Sequence, residues 1–153
     1  MKPRRMLATV VLTMLAAAVV FALPATAAQQ PLATLNAKLT TAVPGPGDPD
    51  GHGNAMVKVY KTKLCYTLSV MSIKPATMAH IHQGAKGQTG DIVVPMDQTS
   101  FNLPRPTSSG CEPITSSLRM DLMQNPSNYY VNVHNKPYPD GAIRGQLRMM
   151  KGM

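Results

Sequence analysis

The chain has 153 residues and a formal net charge of +8, from 15 Lys and Arg against 7 Asp and Glu. It has no Trp and no dense basic tract interleaved with aromatics, which argues against nucleic-acid binding. Seven acids and the absence of a G-x-S-x-G element give no support to a paired-carboxylate hydrolase or a serine-hydrolase elbow.

Met1-Lys2-Pro3-Arg4-Arg5 is a short basic start, and Met6 to Leu23 is apolar apart from Thr9 and Thr13. Ala25-Thr26-Ala27 follows as an A-x-A site, so residues 1–27 read as a cleaved secretory signal peptide and residues 28–153 as one domain. An uncleaved leader is the rival reading and the one route to a membrane. Without the leader, 12 Lys and Arg remain against 7 acids, a net +5. The expected destination is secreted or periplasmic. An oxidising compartment favours a Cys65–Cys111 disulfide, with free thiols or an intermolecular bridge as alternatives. The internal bridge would contribute about 4 kcal/mol on the chain-entropy account.

Strand alternation dominates the rest of the chain. Leu32, Leu35, Ala37 and Leu39 predict a first strand ending near Val43. The Pro/Gly-rich run from Pro44 to Gly51 breaks it. Its Asp48-Pro49-Asp50-Gly51 is a turn rather than a calcium loop, because the twelfth position is Val59 and not Glu. Ala55, Val57 and Val59 alternate with Met56, Lys58 and Tyr60. After a turn at Lys61-Thr62, Leu64, Tyr66, Leu68 and Val70 alternate with Cys65, Thr67 and Ser69. This is a hairpin pattern.

Thr77 to His82 is short and extended, 84–90 is a turn-rich loop, and Asp91 to Met96 is strand-like. Residues 98–116 are rich in Ser, Thr, Pro and Asn and are expected to be a surface connection. Leu118, Leu122 and Met123 predict one short helix before Asn125-Pro126. A strand over Asn128 to His134, a turn over Lys136 to Gly141 and a strand over Ala142 to Met149 complete the chain. In that last strand Ile143, Leu147 and Met149 are expected in the core, with Arg144, Gln146 and Arg148 facing away. Arg144 is expected to bridge to Asp140 or Asp91, or else to bind an anion. The fold class is all-β, an antiparallel sandwich with at most one or two short helices.

Three histidines carry the chemical interest. His80 and His82 share one face of a strand, with Met78 beside them, and Tyr130, Asn132 and His134 share one face of another. If those strands are neighbours, three imidazoles converge as a copper or zinc site, with Met78 as an accessory thioether. If they are not, the histidines are hydrogen-bonding side chains, paired with a loop carbonyl and Asn132. His52 lies in a Gly-rich loop and is not expected to join. Met149, Met150 and Met153 offer a weaker Cu(I) reading at the C-terminus.

Ala79-His80-Ile81-His82-Gln83-Gly84, Gly87, Gly90, Tyr129-Tyr130-Val131-Asn132-Val133-His134 and Tyr138-Pro139-Asp140-Gly141-Ala142-Ile143-Arg144-Gly145-Gln146-Leu147 together resemble the CHRD domain, in its exported bacterial single-domain form. The resemblance covers about residues 32–149. One departure is Ala42 before Val43-Pro44, where the family usually carries Glu. The resemblance implies an immunoglobulin-like sandwich distantly similar to copper/zinc superoxide dismutases. It implies structural motif roles for Asn132, Gly141, Arg144, Gly145 and Gln146. It brings no general activity. The leading expectation is an exported, non-enzymatic binding or structural module for an unknown protein or envelope component. The alternatives are a copper- or zinc-binding protein and, more weakly, a dismutase-like redox enzyme, although a bimetallic centre needs more imidazoles than the chain holds.

Overall fold

The computed structural model describes residues 29–96 and 107–150, so the predicted leader and Met153 lie outside the described residues. Strand β1 (Ala33–Thr41) buries Leu35, Ala37 and Leu39, as the alternation predicts. Leu32 has the wrong parity for that face and is 53% exposed. Strands β2 (His52–Val59) and β3 (Lys63–Met71) form the expected hairpin, closed by the Tyr60 amide on the Lys63 carbonyl. Register aligns Leu35 with Val57 and Val57 with Tyr66, so one inward row crosses three strands.

β4 (Ala76–Gln83) and β5 (Ile92–Pro95) begin the second half of the sandwich. The expected surface connection over 98–116 is corrected in part: Thr107–Pro113 is strand β6, paired antiparallel with β3. Its polar composition is tolerated because β6 is an edge strand with a single neighbour. One inward position is glycine for a packing reason, since a Cβ at Gly110 would meet the Tyr66 ring at 2.9 Å. Helix α1 (Ser116–Gln124) is capped by the Thr115 hydroxyl, which accepts from the Leu118 amide, and it buries Leu122. A 3-10 turn (Pro126–Asn128) leads into β7 (Tyr129–Asn135) and β8 (Ile143–Gln146).

The strand order is β5-β4-β7-β8-β1-β2-β3-β6. β1 joins the two halves: its early residues pair with β2, and Thr40 and Thr41 also pair with Arg144 and Ile143 of β8. The inward faces share one apolar core, with Leu35, Val57, Leu64 and Leu68 from one side and Ala79, Ile81, Val131, Val133 and Ile143 from the other. The architecture is the expected all-β, antiparallel, sandwich-like fold with one α-helix among the described residues.

The last strand is not continuous. It breaks at Leu147, whose amide bonds the Tyr129 carbonyl, and resumes as β9 (Arg148–Met149) along β1. The register is the same on both sides of the break, Thr40 with Arg144 and Asn36 with Arg148. Beyond Tyr129 the strand has only β1 beside it. Met149, expected in the core, is accordingly 42% exposed.

Cys65 and Cys111 are register partners on β3 and β6 and form a disulfide on the outer face. It ties the edge strand to the sheet. Thiol titration of the unfolded, unreduced protein is expected to find no free thiol. Replacing both cysteines by Ser should lower stability by about 2–4 kcal/mol in denaturant melts. Two reactive thiols per chain would contradict the bridge.

Candidate metal centre

The site is built by parity. In β4, Ala79 and Ile81 point into the core, so Met78, His80 and His82 point outward. In β7, Val131 and Val133 point inward, so Tyr130, Asn132 and His134 point outward. Register then stacks three outward rows across β4 and β7, two of which continue onto β8. Met78 pairs with His134. His80 pairs with Asn132, and Asn132 with Arg144. His82 pairs with Tyr130, and Tyr130 with Gln146. Facing residues on adjacent antiparallel strands are close enough to touch.

An outward sheet face is normally solvated, but this one is not. His80, His82, His134, Asn132 and Arg144 are all under 10% exposed. Two loops cover them, 84–91 between β4 and β5 and 136–142 between β7 and β8. Both loops are held by side chains of the layer beneath. The His82 Nδ1 lies 2.8 Å from the Gly90 carbonyl, and the Gln146 amide donates to Gly84 at 2.6 Å and Ser127 at 2.7 Å. Over the second loop, His134 Nδ1 lies 2.8 Å from the Pro139 carbonyl and the Asn132 amide donates to Asp140 at 3.1 Å. Gly141 is required where the second loop descends. Its φ is +142°, and a Cβ there would meet Asn132 Oδ1 at 2.5 Å.

A carbonyl can only accept, so the Nδ1 atoms of His82 and His134 carry the protons. Their Nε2 atoms are left with lone pairs. The His134 Nε2 faces the His80 Nδ1 at 3.2 Å. The His82 Nε2 is buried and has no hydrogen-bond partner. One ring nitrogen from each histidine lies within 4.8 Å of the other two. With metal–nitrogen bonds of about 2 Å, modest ring rotation brings all three onto one ion. Asn132, the expected alternative partner, donates its Nδ2 to the Asp140 carbonyl, and its Oδ1 is buried with no hydrogen-bond partner.

Burial drives the His80 pKa from the ordinary 6.5 down to about 4, with His134 and then His82 adding repulsion. Burial also lowers His134, against the opposing pull of its Pro139 carbonyl. His80 and His134 are thus biased towards the neutral form, in which imidazole ligates metal. Tyr130 supports it from the side. Its ring stacks on His82 at 4.9 Å between centroids and 6° between planes, and the Arg144 guanidinium lies 3.4 Å over the same ring.

Other sequence candidates fall elsewhere. His52 is exposed on β2, with its ring against the Asp50 carbonyl, outside the cluster as expected. Met78 is half-buried and opposite His134 in register. Met149 and Met150 are exposed. Asp48 accepts from the Asp50 amide within its turn. Arg144 does not bridge to Asp140 or Asp91: it donates to the Gln88 carbonyl at 3.0 Å and lies over Tyr130, because loop 84–91 covers it. Gly145 sits where the Lys38 carbonyl of β1 would be 2.2 Å from a Cβ. Sequence reasoning missed the covering carbonyls of Gly90 and Pro139, for which a backbone acceptor leaves no residue signature.

The lowered His80 pKa sets the acid behaviour of the chelator-stripped protein. Between about 4 and 6.5 the unfolded chain binds a proton at this residue that the folded chain does not. Stability is therefore full above 6.5 and falls as the pH drops towards 4. The melting temperature should decline across that window, and less steeply in His80→Gln. A flat profile for the unsubstituted protein would contradict the assignment.

The sequence profile of the CHRD domain matches residues 35–147, a span that contains all three histidines and the strands that carry them. No curated protein and no solved structure matches the chain. The matched span is well over half of the sequence, and the chain belongs to the CHRD-domain family.

Proposed function

We propose that this is an exported, non-catalytic binding module whose ligand is a copper or zinc ion held by His80, His82 and His134. One observation carries the proposal. The His82 Nε2 is buried without a partner, on a ring that brings one nitrogen within 4.8 Å of a nitrogen from each of the other two histidines. A purely structural histidine explains the Nδ1 bond to Gly90 but leaves Nε2 with the desolvation cost of an unmet polar atom, about 1–3 kcal/mol. A metal ion offsets that cost. The Nδ1–carbonyl bonds of His82 and His134 are the orienting contacts that ligating histidines usually make.

Neutral imidazoles, no carboxylate in the cluster and Met78 on the same face favour copper, particularly Cu(I), over harder divalent ions. A dismutase reading is disfavoured by ligand count, because the fourth histidine, His52, lies on β2 outside the cluster. Membership in a non-catalytic, extracellular domain family supports a module outside the cytoplasm, and the disulfide agrees. The predicted leader is the proposed export route.

Calorimetry should find one equivalent of copper or zinc bound, with a melting temperature that rises with metal concentration. His82→Ala should weaken binding by more than about 100-fold, beyond the usual effect of losing an orienting contact. His52→Ala should leave it unchanged. Acid should release the ion as the imidazoles protonate, at a pH below the ordinary 6.5 because burial lowers His80 and His134. An affinity no tighter than about millimolar, near −4 kcal/mol, would sink the proposal.

A further inference from the structure

A second site lies beside the histidine layer, on the opposite side of Arg144's strand. The outer face of β1, the β8–β9 segment and loop 84–91 line a partly open cavity of about 420 Å³. Four cationic side chains line it: Lys38 from β1, Lys86 from the loop, Arg144 from β8 and Arg148 from β9. Among the described residues no carboxylate does. Three of these cations are exposed, but Arg144 is 8% exposed.

Arg144 is held as a built recognition element rather than a free surface charge. One guanidinium nitrogen donates to the Gln88 carbonyl, and the plane lies over Tyr130. The other terminal nitrogen, Nη2, is buried with no hydrogen-bond partner. A buried guanidinium without a counter-charge is costly, and an anion in the cavity would offset that cost. The guanidinium fork suits an oxyanion, and lysines arriving from other elements neutralise it as point charges.

We infer that this cavity binds a tetrahedral oxyanion, a phosphate or sulfate group, with Arg144 as the buried cation in its wall and Lys38, Lys86 and Arg148 closing around it. Four cations match a dianion better than a single carboxylate. The cavity is of small-ligand size, so it has room for the ester of a small polar molecule such as a sugar as well as for the free ion. This inference does not depend on the metal reading.

The test is calorimetric titration of metal-stripped, dialysed protein at constant ionic strength in chloride, with four probes: inorganic phosphate, inorganic sulfate, glucose 6-phosphate and glucose. One equivalent of a phosphate or sulfate probe should bind, and glucose should not. Tighter binding of glucose 6-phosphate identifies an ester site, and equal or tighter binding of the inorganic ions identifies a free-ion site. Both results support the oxyanion assignment. Lys38→Ala and Lys86→Ala, at exposed positions, should each weaken binding by about five- to tenfold, the loss of one charge-assisted contact. Arg144→Lys should weaken it more, with the circular dichroism spectrum unchanged. If that variant does not fold, the two lysine variants still decide. No heat beyond that of chloride, or affinities unaffected by both lysine substitutions, would overturn the inference.

Discussion

The constraint on which the structure depends is the parity of three adjacent strands. β4, β7 and β8 each bury one set of alternate residues in the apolar core, which fixes their other set on the outer face. That second set is polar and yet buried, so every donor in it needs an acceptor. The acceptors are backbone carbonyls of two loops, at Gly84, Gln88 and Gly90 on one side and at Pro139 and Asp140 on the other. The loops are placed by the side chains beneath them, and the side chains are oriented by the loops. A one-residue slip in β4 or β7 would exchange the histidines for core residues such as Ala79, Ile81 and Val133, and a slip in β8 would exchange Arg144 for Ile143 or Gly145.

Three atoms in this layer escape the balance: the His82 Nε2, the Asn132 Oδ1 and the Arg144 Nη2 are all buried and unmet. Two of them, on His82 and Arg144, belong to residues that lie against the Tyr130 ring. One is a lone pair suited to a cation and the other a donor suited to an anion. The layer therefore presents opposite chemistries on its two flanks, with an aromatic ring between them. The remaining surface is more ordinary. Asp121, for example, accepts from the Tyr129 hydroxyl and the Asn125 amide, which hold its carboxyl below the usual range and tie α1 to β7.

Most of the core was legible because it rests on alternation alone: Leu35, Ala37 and Leu39, the 55–59 run and the 64–68 run all bury the predicted face. β6 was not, since Thr107–Pro113 carries no apolar period, and its identity comes from hydrogen bonds to β3. Cys111 was the one residue in it that pointed to a partner. The helix was legible from Leu118, Leu122 and Met123, although Leu122 alone is fully buried. For the site, the shared faces of His80, His82 and His134 could be read from spacing, but their adjacency required β4 and β7 to pair. Arg144 shows the limit most clearly. Its facing was read correctly, but its burial was not, because a covering loop of Gly, Ala, Lys and Gln has no pattern that predicts where it will lie.

The two covering loops hold the Nδ1 atoms of His82 and His134 as donors, and this leaves each Nε2 free of a loop acceptor. Long-range nitrogen–proton correlation NMR of the metal-stripped protein near neutral pH reads this directly. Both residues are expected as Nδ1–H tautomers, with the proton on the nitrogen facing Gly90 or Pro139 and an unprotonated Nε2. Nε2–H tautomers, or imidazolium rings at these two positions, would contradict this.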